Sequence, residues 1–116
     1  TLDFFAFGYA STLLKVEVFR SIDRLRLQGK LSDDEVALQV KAFLDLTHFI
    51  SEVPISHWVL SRASAPFPTV VRTLDAIHLA SAWVIQEEQK SPLTFLTHDA
   101  QLKRAAQAMG FETVDL

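Results

Sequence analysis

The stretch Val70–Trp83 reads VVRTLDAIHLASAW and is the most apolar part of the chain that has helical character. The pattern predicts a helix over Thr73–Gln89 that is apolar nearly all round and therefore buried on more than one side. Asp75 stands in its first turn, although taking a carboxylate out of water costs several kcal/mol. A carboxylate in such surroundings usually faces a cation, a group of hydrogen-bond donors or a metal.

Helices and short strands alternate on either side of this segment. Ser32 and Glu35 form the sequence pattern of a capping box, and two prolines in SAPFP mark a loop. The predicted helices cover residues 13–28, 33–46, 55–65, 73–89 and 99–109, and the predicted strands cover 47–53, 93–97 and 111–116. In the 55–65 helix, Ile55, Val59 and Leu60 are expected to face inward. From Leu46 onward this alternation predicts a parallel sheet covered by helices.

Composition limits the classes of protein to which the chain can belong. Its 116 residues suggest one domain, and 49% hydrophobic residues allow a packed core. The absence of cysteine excludes disulfides and thiolate metal sites and agrees with a cytoplasmic location. A net charge of −3 excludes a global basic field, so a nucleic-acid ligand needs a local patch or a metal. No apolar run reaches the roughly 18 residues that span a bilayer, so no membrane partner is expected.

Three acidic residues occupy similar places in the predicted elements. Glu17, Asp75 and Asp99 each lie near the start of a helix. An acid there is favoured by the helix dipole or as an N-cap, and for any one residue alone this is the commoner role, most clearly for Asp99 in THDAQL. However, ligands gather beyond the carboxyl ends of parallel strands, where helices begin. A cluster of carboxylates without cysteine selects hard cations such as Mg²⁺ or Mn²⁺, which commonly act on phosphate esters.

Three segments resemble one known family. TLDAIHLASA, FLTHDAQLKRAAQAMGF and YASTLLKVEVFRSIDRL resemble, in order and spacing, motifs of PIN-domain nucleases, and they are most similar to VapC-type toxins of toxin–antitoxin pairs. The resemblance extends from about Tyr9 to Leu116. It implies a three-layer α/β/α PIN-like domain with a mainly parallel central sheet.

The resemblance also implies a site and a reaction. Glu17, Asp75 and Asp99 match the second, third and fourth acids of the family, which bind Mg²⁺ or Mn²⁺ and position a water for attack on an RNA phosphodiester. Thr97 matches a hydroxyl position that would steady the water network. The implied function is a metal-dependent endoribonuclease with an RNA substrate, a cognate antitoxin and a homodimeric state.

The first acid of the family has no clear counterpart. It normally precedes the second acid by a few dozen residues, and only 16 residues precede Glu17. Asp3 in TLDFFAF lies too close, because the intervening helices do not fit. We therefore expect residues 1–116 to form a single PIN-like domain without the family's N-terminal strand and first helix, and the native protein to be longer. The alternatives are a catalytically incomplete module that binds RNA or protein, and a metal-dependent phosphatase or DNA nuclease.

Four further residues have two interpretations each. His78, one turn after Asp75, would be a hydrogen-bond donor to the site or a proton carrier, or else a structural polar residue. Arg72 would contact an RNA phosphate or pair with a neighbouring acid. Arg20 and Arg24 share a helix face and would contact the RNA backbone, or belong to a solvated surface.

Overall fold

The structure is a computed structural model that describes residues 8–97 and 99–114, so Asp3 lies outside the described residues. The chain divides into two compact units, Thr1–Glu52 and Val53–Leu116. The described residues form an α/β fold, as predicted, with five helices and short strands. In chain order the elements are β1 (Gly8–Ser11), α1 (Leu13–Leu27), α2 (Asp33–Thr47), β2 (Ile50–Val53), α3 (His57–Ser64), α4 (Thr73–Gln89), β3 (Thr94–Leu96), α5 (Ala100–Ala108) and β4 (Glu112–Val114).

The first unit contains a pair of helices and a small sheet. β1 pairs with β2. The predicted capping box is present at the start of α2, where the Ser32 hydroxyl accepts from the Glu35 N–H and the Glu35 carboxylate accepts from the Ser32 N–H. The two helices meet through the rings of Phe19 and Phe43, which lie edge to face with centroids 5.8 Å apart. This contact adds to the burial of the apolar faces of α1 and α2.

The second unit is organised around α4, which packs into two apolar cores. Leu79 belongs to a core with Leu102, Ala105, Ala106 and Phe111. The other core is made by Val53, Val59, Ala80 and Ile85. The prediction that this helix is buried on more than one side is therefore confirmed. In the ranges that the structure describes, no helix has both the length and the apolar character to cross a membrane.

β3, α5 and β4 form a parallel β–α–β unit. Thr94 pairs with Glu112, Phe95 with Thr113 and Leu96 with Val114. Parallel neighbours need a crossover connection, and α5 supplies it. α5 directs its buried side chains toward an apolar core that also includes Phe95 and Phe111. The ring centroids of these two residues lie 6.0 Å apart. The parallel pairing confirms the prediction made from the alternation of strands and helices.

One predicted core residue is wrong. Leu60 was expected to face inward on α3, but 47% of its surface is exposed. Its neighbour on the helix, Val59, is fully buried in the second core. The reason is that Leu60 lines a cavity that opens to solvent, and the cavity forms only when α3 packs against α4.

Three helices end at residues with positive φ. Gly29 follows α1 with φ +72°, and Gly110 follows α5 with φ +94°. The residue that follows α4 is Lys90, which has φ 53° and ψ 35° although it is not a glycine. A side chain in this left-handed region costs roughly 1–2 kcal/mol, because Cβ approaches the carbonyl oxygen.

We predict that Lys90→Gly raises the free energy of unfolding by up to about 1 kcal/mol. The relief of left-handed strain is partly offset by the greater flexibility of glycine in the unfolded chain. Gln89→Gly is the matched control. A glycine at this position, inside α4, should lower the free energy of unfolding by about 1 kcal/mol. Urea denaturation measures both, and equal destabilisation by the two glycines would contradict the prediction.

Candidate functional site

Asp75 lies in the first turn of α4, as predicted. The helix begins after Arg72, whose side chain makes no capping hydrogen bond, while its carbonyl accepts from the Ala76 N–H at 2.8 Å. Asp75 is half-buried. The apolar side chains that follow it anchor the helix in both cores, so the position of its first turn is set by packing.

Asp99 is the N-cap of α5, which confirms the capping role. Its Oδ1 accepts hydrogen bonds from the N–H groups of Gln101 at 2.9 Å and Leu102 at 3.1 Å. The other carboxylate oxygen, Oδ2, takes no part in these two bonds, and the residue is exposed. Capping and binding of a cation are therefore compatible in one side chain, because each can use a different oxygen.

Thr97 holds Asp99 against the end of the sheet. The residue is buried, with 7% of its surface exposed. Its N–H donates to the Val114 carbonyl at 3.2 Å, and its hydroxyl Oγ1 accepts from the Asp99 N–H at 3.0 Å. The strand pairing is thus linked to the position of the Asp99 backbone by two successive hydrogen bonds. That the hydroxyl also steadies water stays a prediction.

A side chain that the sequence did not single out links the starts of α4 and α5. The Gln101 amide Nε2 donates to the Val70 carbonyl at 3.3 Å, across 31 positions of the chain. Leu79 of α4 and Leu102 of α5 share one core. These contacts connect the segment before α4 with the first turn of α5. How near the Asp75 and Asp99 carboxylates come to each other stays a prediction. No local sequence pattern predicts this contact of Gln101, because its partner is distant in sequence.

Glu17 lies in the second turn of α1, in the first unit, and is half-buried. Its convergence with Asp75 and Asp99 stays a prediction. In residues 8–97 and 99–114, no group of three or more histidine, aspartate or glutamate side chains is arranged to hold a metal ion. In the second unit, Asp75 and Asp99 each lie at the start of a helix.

The candidate basic residues differ in their surroundings. Arg20 contacts the Asp23 carboxylate at 3.4 Å, and Arg26 contacts the same group at 2.6 Å. The hydrogen bond from Arg26 holds the pKa of the Asp23 carboxyl below its ordinary value. Arg24 and Arg72 are exposed, and no ion pair among the described residues involves either of them. Arg72 is the N-cap residue of α4 and lies three positions before Asp75.

His78 lies one turn beyond Asp75 on α4 and is half-buried. Both interpretations of this residue stay open. Its ring belongs to the same helix as the acid, so any role it has depends on the packing that holds α4.

Comparison with known proteins identifies the family. The chain is 33% identical over 103 residues to ribonuclease VapC47 of Mycobacterium tuberculosis (strain CDC 1551 / Oshkosh), and the match covers 89% of this chain and 67% of the relative. The chain belongs to the VapC family. The predicted resemblance to VapC-type proteins is thereby confirmed, whereas the match of the three motifs to the family's acids stays a prediction. No protein-family model matches the chain, and no solved structure matches it.

We predict that the two roles of Asp99 can be separated by substitution. Asp99→Ala should lower the free energy of unfolding by about 1 kcal/mol, because two N–H groups of α5 lose their acceptor. Asp99→Asn should leave stability nearly unchanged, since an asparagine oxygen caps as well as a carboxylate. Thermal or urea denaturation of the two variants checks this, and equal losses would show that the negative charge matters more than the cap.

Proposed function

We propose that the chain is a divalent-metal-dependent endoribonuclease and the toxin component of a type II toxin–antitoxin system. The location proposed for the site is supported by the Gln101–Val70 hydrogen bond, which joins the first turn of α5 to the segment that leads into α4. The class of reaction is supported by the likeness to a ribonuclease over 89% of the chain. The two together favour hydrolysis of RNA at the end of the second unit where Asp75 and Asp99 lie.

The donor set suits a hard cation. Asp75 and Asp99 offer carboxylate oxygens, and the family resemblance assigns Glu17 as a third ligand. Mg²⁺ and Mn²⁺ prefer such oxygen ligands and keep several waters. When bound, the ion would supply charge neutralisation at the phosphodiester and lower the pKa of water.

The side chains around the acids have separate tasks in this proposal. Thr97 holds the backbone N–H of Asp99, and the α5 cap holds its carboxylate. Arg72 would bind a phosphate of the RNA backbone, because it is exposed at the start of the helix that bears Asp75. His78, one turn beyond Asp75 on α4, would carry a proton or donate a hydrogen bond to the site. Arg24 and Arg20 would add weaker contacts to the backbone, Arg20 less so because Asp23 already binds it.

The partners follow from the same proposal. A cognate antitoxin would cover apolar surface on the first unit, where Leu38 of α2 is 68% exposed and Leu46 is 50% exposed. The two leucines lie about two helical turns apart on α2, and contiguous exposed apolar surface is typical of sites that meet another protein. A homodimer and a cytoplasmic location, where the RNA substrate occurs, complete the proposal.

The test of this proposal is RNA cleavage by the Asp75→Asn variant. We expect the rate in Mg²⁺ or Mn²⁺ to fall by roughly 100-fold or more, because one lost metal ligand removes several kcal/mol of transition-state stabilisation. Cleavage by the unaltered protein should stop when a chelator is added. Glu88→Gln, which removes an exposed acid near the other end of α4, is the matched control and should cleave normally.

Other outcomes separate the rival functions. RNA binding without cleavage by the unaltered protein would favour a catalytically incomplete binding module. Cleavage of DNA or of phosphomonoesters in preference to RNA would favour the other metal-dependent reactions. Undiminished cleavage by Asp75→Asn would show that the site lies elsewhere.

A further inference from the structure

A cavity opens beside the first turn of α4, within the second unit. Its volume is about 450 Å³, which lies in the range of pockets that bind small organic groups. Its walls come from the end of α3, from the loop that follows and from the start of α4. Most of the lining is apolar, and the side chains that matter here are Leu60, Phe67, Val70, Val71 and Ile77.

Four polar residues interrupt the apolar lining, namely Ser64, Thr69, Arg72 and Thr73. Arg72 lies at the rim, exposed, at the N-terminus of a 17-residue helix that has no side-chain cap. The positive end of the helix and the guanidinium together favour an anion at the mouth. In the wall, Thr69 Oγ1 is buried and has no hydrogen-bond partner among the described residues. Buried hydroxyls are rarely left in this state, so each instance calls for an explanation.

Arg62 supports the wall of the cavity that Phe67 forms. Its guanidinium lies 4.6 Å from the centre of the Phe67 ring and 5.5 Å from that of Trp83. The same side chain donates to the Pro66 carbonyl at 3.3 Å. These contacts tie the loop after α3 to both helices, so the Phe67 wall is preformed.

We propose that this cavity binds one unpaired nucleobase of RNA, with the adjoining phosphate against Arg72. The inference rests on the proposed ribonuclease function and deepens it by assigning a site that determines substrate preference. Single-stranded RNA is recognised by bases that are splayed out and inserted among apolar and aromatic side chains. The apolar walls suit the ring, and the exposed Arg72 at the rim suits the phosphate.

Helical geometry separates this base from the bond that is cleaved. Thr73, Ala76 and Ile77 line the cavity, whereas Asp75 is turned about 200° from Thr73 around the helix axis. The cavity and the Asp75 carboxylate therefore lie on different faces of the same first turn. The nucleotide in the cavity flanks the scissile phosphate, and the lining residues determine specificity and are not catalytic.

The experiment is a titration with the four ribonucleoside 5′-monophosphates, followed by methyl NMR in the presence of EDTA. We expect shifts at the methyl groups of Leu60, Val70, Val71 and Ile77, with different affinities for the four bases. Inorganic phosphate and ribose 5-phosphate are titrated in parallel. Equal shifts from these base-free compounds would overturn the proposal, because they would show an anion site only.

Two pairs of variants sharpen the test. Val70→Glu places a negative charge at the rim, and Arg72→Ala removes the cation; both side chains are exposed, so the fold should persist. Each should weaken nucleotide binding at least five-fold. Ser91→Glu adds the same charge beyond the other end of α4, and Arg104→Ala removes an exposed arginine of α5, and neither should change binding. Equal weakening by test and control variants would overturn the assignment.

This result is independent of the ribonuclease assay, because no metal and no cleavage are needed. Nucleotide binding in the cavity by a protein that cleaves no RNA would contradict the proposed function and support the nucleobase site. Metal-dependent RNA cleavage by a protein whose cavity methyl groups do not respond to any nucleotide would do the reverse.

Discussion

The burial of α4 on two sides is the constraint on which the second unit depends. Leu79 and Ala80, adjacent in sequence, are both fully buried, and each belongs to a different core. Complete burial of a leucine side chain stabilises a fold by roughly 1.5–3 kcal/mol. A rotation of the helix would expose one core or the other. The direction of its first turn, and with it the positions of Arg72 and Asp75, is therefore determined by packing that lies further along the helix.

Asp99, the other candidate acid of the second unit, is held by hydrogen bonds and not by packing. Asp99 is exposed, and its position depends on the sequence of contacts from Val114 through Thr97 to its own N–H. The same carboxylate caps α5 through Oδ1. Asp99 thus has a structural role at a helix start, and its other oxygen takes no part in these bonds. The capping and metal-binding interpretations need not exclude each other.

The cavity next to α4 and the pair of acids use the same helix end differently. The apolar face of the first turn closes a pocket with α3 and Phe67, while Asp75 lies on another face. A long helix whose packing is complete along most of its length can present two surfaces at its N-terminus without further support.

The sequence by itself determined much of the local structure. The apolar pattern alone predicts a helix over residues 73–89. Ser32, Glu35 and Asp99 predict helix caps, because capping motifs are local in sequence. The place of Asp75 in a first turn and the parallel pairing of β3 with β4 followed from the same patterns. The tertiary structure alone decided that Gln101 reaches Val70, that Leu60 borders a cavity, and that the Thr69 Oγ1 is buried with no hydrogen-bond partner in the part of the chain that the structure describes. These features depend on contacts between segments distant in the chain, and such contacts arise only when α3, α4 and α5 pack together.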